Sequence, residues 1–477
     1  MTAPRGLSYL TDDLALADRS ENTLTDDEKA LLALGVIAKD VGSGVFVCGR
    51  ALETIKCRVV DASINGEQVT LQVDADNGTA DARLGDRLRR RAVLAGDQGV
   101  VLLPPGARDV FFTPEPVDTT LTDTQPPSAE PEPKPQASVD LAALNRSVAR
   151  AFEAAPDPMT TALLVSHNGK LIAERYGADA HAARRLPGWS IGKTLTALLI
   201  GRLMHQFDLD LDTPAPITAW QHGTDPRRHI TLRHLLNMSS GLDFTASWAA
   251  DYKPARGYPD HAYMYSGGVD VFALARSRPL RHPPGTFGAY KNSDTMLLGQ
   301  VIHDLVTTAD GPYRTWPQRA LLSRIGISSM TLETDPYGHF MLSGHVHATA
   351  RDWLRLGQFL LDDGVHNGER LLPPGFVEFL RQPAPGWRGR YLDRAGPPGW
   401  TDAIYGGHLW LNRYPPADAW PLPDDACFML GMGGQYVFVV PSRSLVVVRL
   451  GDPLGAPTEG RGVLPDVLAG IMAAIDP

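Results

Sequence analysis

A stretch of prolines and acidic residues divides this chain into two parts. Residues 114–135 are rich in Pro, Thr, Glu and Asp, with the run PPSAEPEPKP at their centre. Such a composition cannot bury a hydrophobic core and favours an extended, polyproline-like backbone. We therefore predict a small N-terminal α+β domain over residues 1–115, a Pro-rich linker over 116–139, and a larger domain over 140–477.

The N-terminal part begins with signals for a helix. A capping-box pattern, Thr25 to Glu28, precedes the apolar run Ala30–Ala38, and together they predict that helix. The glycines among residues 42–44 are expected to end it, and Val45–Val47 is expected to follow as a strand.

Strands are predicted for the rest of this part. Asn65-Gly66 is a strong hairpin signal, because both residue types adopt the positive φ angles that a two-residue turn requires. The strands around the hairpin and the last strand of this part are Arg58–Ile64, Gln68–Val73 and Gly99–Leu103. One helix with several strands makes this an α+β domain.

The larger part has strands at both of its ends and helices between them. The strands are Ala162–Ser166, Leu171–Tyr176, Tyr436–Val440 and Leu445–Leu450, and the terminal helices are Leu141–Ala154 and Gly460–Ile475. Residues from about 190 to 390 are mostly helical in pattern. We therefore predict an α+β fold, an α/β sandwich in which both ends of the domain complete one antiparallel sheet that carries an inserted all-α lobe.

Charge and cysteine content bear on the possible partners. The formal net charge is −9 and the pI is near 5.9, whereas nucleic acids and anionic membranes require a basic face. Three cysteines do not form a disulfide framework, although a pair between Cys48 and Cys57 stays open, and no Cys/His cluster has zinc-ligand spacing. We predict no metal, no cofactor, no nucleic-acid partner and no membrane partner.

The N-terminal residues bear on localisation. They show no charged segment followed by an apolar one, which is the pattern of an export signal. We therefore expect a cytoplasmic protein, or a periplasmic one if a leader has been trimmed from the sequence.

Ser190 matches two nucleophile motifs at once. Residues 188–192, GWSIG, fit G-x-S-x-G, the nucleophile turn of α/β-hydrolases, and residues 190–193, SIGK, fit S-x-x-K. Both motifs make Ser190 the nucleophile, but they assign it a different base. The first motif needs a buried strand immediately before the serine, and the residues that precede it, ADAHAARRLP, do not form an apolar strand.

The second motif suits the residues that follow the serine. Lys193 lies about one helical turn after Ser190, so a helix that begins at the serine places both side chains on one face. Residues 195–200 are mostly apolar on several sides, which is typical of a buried helix. Burial lowers the pKa of an ammonium group from about 10.4 toward neutrality, so Lys193 could accept the proton of the serine hydroxyl.

Two later segments supply candidate partners for Ser190. Tyr290 could relay a proton to a leaving group, and the Asn292 amide could hydrogen-bond Lys193 and a substrate carbonyl. The glycine-rich segment 431–435 precedes a strand whose edge could supply one oxyanion-hole N–H, with the Ser190 N–H as the other. The candidate substrate-binding residues of these segments are Asn292, Met432, Gly433, Gly434 and Gln435, with Met432 and Gly434 as the candidate N–H donors.

Together, and in this order, the three elements resemble the serine β-lactamase and penicillin-binding-protein superfamily. The resemblance covers about residues 140–477 and is closest to the class C-like esterase and amidase branch, which includes 6-aminohexanoate-dimer hydrolases. It rests on the three motifs and on the flanking segments ITLRHLLNMSSGLDF, ATARDWLRLGQFL and FVVPSRSLVVVRLG. The N-terminal segment GVFVCGR resembles an extension common in this branch.

The resemblance implies a β-lactamase-like serine hydrolase that cleaves ester or amide bonds through an acyl-enzyme. In such an enzyme Ser190 attacks, Lys193 is the base and Tyr290 shuttles the proton. The Lys-Thr-Gly motif of β-lactamases is replaced here by segment 431–434, which lacks the cation that helps to hold a substrate carboxylate. This difference favours small esters or amides without a carboxylate at that position and argues against β-lactam hydrolysis.

Several alternatives stay open. A D-stereospecific or linear-peptide peptidase uses the same residues, a non-catalytic binding protein could share the scaffold, and an α/β-hydrolase would use a histidine base. The aromatic segment 244–265 matches a loop over the site in similar hydrolases, so Tyr252 and Trp248 are candidate acyl-pocket residues. The N-terminal part and the linker could also serve to form a homodimer.

Overall fold

The computed structural model describes residues 20–59, 63–64, 66–120, 139–153, 160–247, 249, 252–387, 404–412, 420–452 and 462–475. Outside these residues lie the N-terminal segment 1–19, Asn65 of the predicted hairpin turn, the central linker 121–138, Trp248 and the side chain of Cys57.

The N-terminal unit packs helices against an antiparallel sheet whose strands are hydrogen-bonded in chain order. Its elements are α1 (Asp26–Gly42), α2 (Leu52–Val59), β1 (Ser63–Ile64), β2 (Glu67–Asp74), β3 (Thr79–Leu84), β4 (Leu88–Leu94) and β5 (Val100–Leu102). Helix α1 begins at the predicted capping box, where Thr25 Oγ1 accepts from the Glu28 N–H and the Glu28 carboxylate accepts from the Thr25 N–H. Its inner face packs Leu34 and Ala38 against Leu84 of the sheet.

Helix α1 ends at Gly42, where the glycines predicted its end, but the predicted strand Val45–Val47 is wrong. The chain continues as a π-helical turn, Ser43–Val47, which the Cys48 N–H closes by donating to Ser43 O at 2.9 Å. The glycines permit close packing: a Cβ at Gly42 would lie 2.8 Å from Val100 Cγ1, and one at Gly44 would lie 2.7 Å from Ile55 Cδ1. Tertiary contacts thus outweigh the β propensity of the Val-Phe-Val run.

The other strand predictions of this unit are confirmed only in part. Ser63 pairs with Gln68, which agrees with the predicted hairpin, but the predicted strand Arg58–Ile64 begins inside α2. Strands β3 and β4 were not predicted, because arginines interrupt the apolar alternation of β4. Asp81 on β3 is buried, and its carboxylate compensates the positive charge of these arginines by pairing with Arg89 at 2.7 Å and Arg91 at 2.8 Å.

The larger domain is built on a seven-stranded antiparallel sheet that uses both of its ends. The strands of the whole domain, in chain order, are β6 (Thr160–His167), β7 (Lys170–Tyr176), β8 (Leu186–Pro187), β9 (Thr331–Leu332), β10 (Val346–Ala348), β11 (Val365–His366), β12 (Glu369–Arg370), β13 (Ile404–Tyr405), β14 (Trp410–Leu411), β15 (Cys427–Gly431), β16 (Gln435–Val440) and β17 (Leu445–Gly451). The order in the main sheet is β13-β14-β15-β16-β17-β6-β7. Val447 of β17 lies opposite Val165 of β6, so the two ends of the domain meet as predicted.

Helices cover both faces of this sheet and form the predicted inserted lobe. They are α3 (Leu141–Arg150), α4 (Ile191–Phe207), α5 (Leu232–Leu236), α6 (Asp260–Ser266), α7 (Val271–Ser277), α8 (Asn292–Ala309), α9 (Ala350–Leu361), α10 (Phe376–Leu380) and α11 (Leu464–Ile475). Alternate residues of β17 serve two cores: Val447 packs with α3 and α11, and Val446 packs with α4, α9 and the lobe. The predicted α+β sandwich with an inserted helical lobe is therefore confirmed.

The two units meet through a buried network of charges centred on Glu333. Lys39 of α1 and His347 of β10 both contact its carboxylate, His347 Nε2 at 3.1 Å. The Ser43 hydroxyl and the Val100 N–H each donate to Oε1 at 2.9 Å. Burial by itself would raise the pKa of Glu333, but the positive charges of Lys39 and His347 outweigh it and lower that pKa. The carboxylate is therefore ionised at neutral pH and holds α1 to the larger domain.

The chain just before the predicted linker also runs along the larger domain. The Phe111 N–H donates to Pro336 O at 2.8 Å, and Arg314 pairs with Glu115 at 2.5 Å. The N-terminal unit is thus fixed to the larger domain by the chain that leaves it as well as by α1.

Helix α1 and the π-helical turn after it are together long and apolar enough to cross a membrane, by length and composition alone. More than half of the apolar stretch is buried inside the protein, against the N-terminal sheet and α6. A buried core helix meets the same criterion, and the packing of α1 is that of a core helix.

Replacing Glu333 by glutamine keeps the shape of the side chain but removes the charge that compensates Lys39 and His347. Breaking a buried ion pair in this way costs about 3–5 kcal/mol, so we expect the free energy of unfolding in urea to fall by that amount. Glu369→Gln is the control, because Glu369 is exposed and pairs with Arg324, and surface pairs contribute only about 0–1 kcal/mol. Equal effects of the two substitutions would contradict the role assigned to Glu333.

Candidate active site

Ser190 lies at the N-terminus of α4, after a turn with a strained tryptophan. Trp189 has a φ of 46°, in the left-handed region, and Ser190 returns to a φ of −65°. A Cβ at Gly188 would lie 2.3 Å from the Trp353 ring, so only glycine fits there. The strand before the serine, β8, has two residues and lies at the edge of a three-stranded sheet with β10 and β9. It is not the buried strand that an α/β-hydrolase requires.

The first turn of α4 packs tightly against residues 342–346. A Cβ at Gly192 would lie 2.2 Å from Leu342 O, which explains the glycine inside the S-x-x-K motif. This close approach brings the carbonyl of Ser343 next to Ser190. Ser343 could not be identified from the sequence, because it acts through its backbone carbonyl, which every residue type carries.

Lys193 is buried and faces Ser190. Its Nζ donates to Ser190 Oγ at 2.9 Å and to Ser343 O at 2.8 Å. In the described part of the chain, no carboxylate forms an ion pair with this lysine. Burial therefore lowers the pKa of Lys193 well below its usual value of 10.5. An amine whose neutral form is favoured by burial and that is bonded to a hydroxyl can accept the proton of that hydroxyl.

Tyr290 lies directly beside the lysine. Its ring centroid is 4.8 Å from Lys193 Nζ, a distance at which the ring face attracts a positive charge. The ring is buried and packs against Trp410 and Tyr405, with centroids 5.3 Å and 5.9 Å away. The structure thus brings together Ser190, Lys193 and Tyr290, the three residues that the sequence analysis assigned to catalysis.

Asn292 is the first residue of α8 and is completely buried. Its Nδ2 lies 3.3 Å from His261 Nε2, and its Oδ1 has no hydrogen-bond partner among the described residues. The predicted hydrogen bond from Asn292 to Lys193 is not formed there, because Lys193 bonds Ser190 and Ser343 instead. His261 was not singled out from the sequence. Burial lowers its pKa well below 6.5, and the nearby Lys193 acts in the same direction, so this imidazole is neutral.

The glycine-rich segment forms the turn between β15 and β16 and lies against the residues before Ser190. A Cβ at Gly431 would lie 2.1 Å from Gly188 O, and Gly433 and Gly434 have φ values of 81° and 76°. Met432 is half exposed at the tip of the turn. The third predicted motif is therefore next to the candidate nucleophile, as the sequence analysis expected.

Gln435, at the start of β16, is completely buried, and its side-chain amide forms hydrogen bonds with backbone groups. Nε2 donates to the carbonyl oxygens of Met432, Gly433 and Gly451, and Oε1 accepts from the Gly451 N–H at 3.0 Å. The side chain thus holds the turn in place and does not reach toward a substrate.

Tyr252 of the aromatic segment 244–265 lines one small cavity together with Tyr290. The Tyr252 hydroxyl donates to Glu21 and to Gly257 O, so it also ties the segment to the N-terminal unit. Phe244 and Phe287 line the same cavity. Trp248, the other residue predicted for this pocket, lies outside the described residues.

One group of side chains in the described part of the chain has the spacing of a metal site. Potential ligand atoms of Asp270, Asp335 and His339 lie within 4.8 Å of one another. His339 Nδ1 is 3.2 Å from each carboxylate. Burial would lower the pKa of His339, but the two carboxylates outweigh it and raise the pKa to about 10. In this structure the group is therefore a partly buried ion pair with a protonated histidine.

Comparison with known proteins agrees with this geometry. The model of the Beta-lactamase family matches residues 148–458. A 6-aminohexanoate-dimer hydrolase from Paenarthrobacter ureafaciens is 21% identical over 324 residues, which cover 66% of this chain and 79% of that protein.

Solved structures share the fold of the larger domain. A penicillin-binding-protein homologue from Caulobacter crescentus is 14% identical with a TM-score of 0.53, over 72% of this chain and 99% of that one. EstCE1, a hydrolase with promiscuous acyltransferase activity, is 18% identical with a TM-score of 0.53, over 71% of this chain and 99% of its own. Because the family model spans most of the sequence, and the fold agrees with it, this protein belongs to the Beta-lactamase family of hydrolases.

Proposed function

We propose that this protein is a serine hydrolase that cleaves ester or amide bonds of small molecules through an acyl-enzyme on Ser190. The observation that carries the proposal is the 2.9 Å hydrogen bond between Lys193 Nζ and Ser190 Oγ. The lysine is buried and, among the described residues, has no carboxylate partner, so it can act as a neutral base. Membership of a hydrolase family supports the same function.

In the proposed first step, Lys193 accepts the proton of the Ser190 hydroxyl while Oγ bonds to the substrate carbonyl carbon. The negative charge that develops moves to the carbonyl oxygen, where the N–H groups of Ser190 and of turn 432–434 are the proposed donors. The new ammonium group is stabilised by the Ser343 carbonyl at 2.8 Å and by the face of the Tyr290 ring.

The leaving group then needs a proton. Tyr290 is proposed to pass the proton from Lys193 to the leaving oxygen or nitrogen as its bond to the carbonyl carbon breaks. The acyl group stays on Ser190 Oγ until a water molecule attacks it, gives a proton to Lys193 and releases the acid. Return of that proton to Oγ restores the enzyme.

The substrate is proposed to lack a carboxylate near turn 432–434, because that turn contains no cation. The cavity beside Tyr290 is lined in part by aromatic side chains, including Phe244 and Tyr252, which suit an apolar acyl group. One relative is named as a 6-aminohexanoate-dimer hydrolase and one neighbour as a hydrolase with acyltransferase activity, and both names support hydrolysis through an acyl-enzyme.

Acylation of Ser190 tests the proposal directly. A fluorophosphonate or p-nitrophenyl acetate is expected to add one group to Ser190, detected by intact mass and peptide mapping, and Ser190→Ala is expected to abolish the adduct. Lys193→Arg places a guanidinium there, which stays protonated and cannot accept a proton, so the acylation rate should fall about 10²–10⁴-fold. Lys170→Arg, at the exposed start of β7, is the matched control and should react like the wild type.

Two outcomes would overturn this assignment. One is full esterase activity in Ser190→Ala. The other is an active Lys193→Arg enzyme together with an inactive His261→Ala enzyme, which would indicate a histidine base.

The role of Tyr290 is tested by comparing substrates whose leaving groups differ in their need for a proton. Tyr290→Phe removes the hydroxyl but keeps the ring beside Lys193. We expect kcat/KM to fall about 10²–10⁴-fold for amides and alkyl esters, whose leaving groups need a proton, and to change much less for p-nitrophenyl esters. An equal loss for both kinds of substrate would contradict a proton-shuttle role for Tyr290.

A substrate panel separates the proposed function from its alternatives. It contains p-nitrophenyl esters with short and long acyl chains, nitrocefin, 6-aminohexanoate dimer and D-amino-acid peptides. Turnover of the esters or the dimer is the expected result. Turnover of D-peptides alone would indicate a peptidase, and binding without turnover would indicate a non-catalytic protein.

A further inference from the structure

A second group of chemically active side chains lies at the contact between the N-terminal unit and the larger domain. Cys48 Sγ is 3.5 Å from His347 Nδ1, and His347 Nε2 is 3.1 Å from Glu333 Oε2. A thiol, an imidazole and a carboxylate thus follow one another in the order found where a nucleophile is activated and its base is oriented. The proposed reaction at Ser190 uses none of the three.

His347 carries a positive charge beside the sulfur of Cys48. Burial lowers the pKa of His347, but Glu333 and Cys48 outweigh it and raise the pKa to about 10, so the ring is an imidazolium at neutral pH. Its two N–H groups then point to the Glu333 carboxylate and to the sulfur. With Lys39 also on Glu333, two buried cations face one buried anion. An imidazolium beside a cysteine stabilises the thiolate, which is the reactive form.

Two further titratable groups adjoin the cluster. Burial raises the pKa of Asp40 to about 7, although Lys39 opposes that shift. Burial lowers the pKa of His345 well below 6.5, so His345 is neutral. Neither group therefore carries a full negative charge at neutral pH.

Cys48 and His347 line a small cavity of about 60 Å³ between α1 and the larger domain. His345 lines the same cavity and is only 4% exposed, and its Nε2 has no hydrogen-bond partner among the described residues. Buried polar atoms in proteins are nearly always paired, so an unpaired one beside a cavity indicates a polar group that binds there. The volume suits a molecule of a few heavy atoms.

We propose that this cavity is a covalent modification site in which Cys48 is a nucleophile for small α,β-unsaturated carbonyl compounds. Cys48 Sγ bonds to the β-carbon of the compound, the carbon–carbon π bond breaks, and the α-carbon takes up one proton in place of the one lost by the thiol. The reaction is an addition, so it needs no other reactant. His347 stabilises the thiolate, Glu333 orients His347, and His345 hydrogen-bonds the polar end of the compound.

Acrylamide is the probe, and its rate of addition is measured on the full-length native protein by peptide mass mapping. Cleavage after Arg50 separates the peptide of Cys48 from that of Cys57, and the buried Cys427 is an internal control. The reference is the same Cys48 in the protein unfolded in urea at the same pH. We expect native Cys48 to react about tenfold faster than unfolded Cys48, and native Cys427 to react more slowly than when it is unfolded.

A native Cys48 that reacts more slowly than the unfolded one would overturn the proposal, because it would show burial without activation. His347→Gln should bring the rate of native Cys48 down to the unfolded rate or below it, and an unchanged rate would exclude His347 as the activating group. If that variant does not fold, the comparison of native with unfolded wild type still decides. Ser190→Ala should leave the Cys48 rate unchanged, so failure at this site is distinguishable from failure of the proposed hydrolase.

Discussion

Burial of Lys193 without a counter-charge is the constraint on which the candidate active site depends. Three lysines of the described structure are almost completely buried, and two of them have carboxylate partners: Lys39 contacts Glu333, and Lys291 is 3.8 Å from Asp294. Taking an ammonium group out of water costs several kcal/mol, which a nearby carboxylate offsets. The Nζ of Lys193 instead contacts a hydroxyl, a backbone carbonyl and an aromatic ring, none of which is an anion, so its neutral form is favoured.

The same constraint links the N-terminal unit to the site. The loop between β9 and β10 carries Glu333 at one end and Ser343 near the other, and the Glu333 backbone holds the loop together. Its N–H donates to His345 O at 3.0 Å, and its carbonyl accepts from the Met341 N–H at 2.9 Å. The Glu333 side chain is bound by α1 on one side, and the Ser343 carbonyl meets Lys193 on the other. The N-terminal unit therefore supports the loop that orients the proposed base.

Much of the fold and the centre of the site could be predicted from the sequence. Apolar alternation located the strands at both ends of the larger domain, and the S-x-x-K motif before a buried helix paired Ser190 with Lys193. The prediction failed where long-range contacts decide local structure, as at Val45–Val47, where close packing of glycines continues a helix. It also missed β4, because Asp81 compensates arginines that look exposed in the sequence. Ser343 and His261 carry no motif, since only the folded chain brings them to Lys193.

The central claim is that Lys193 is a neutral base, and direct titration of its side chain tests it most sharply. With lysine labelled with ¹³C at the ε-carbon, the NMR resonance that is lost in Lys193→Arg is followed against pH. Burial also lowers the pKa values of Lys39 and Lys291, so their resonances are assigned by the same kind of substitution. We expect the Lys193 resonance to titrate with a pKa well below 10.5. A Lys193 resonance that titrates near 10.5 would contradict it.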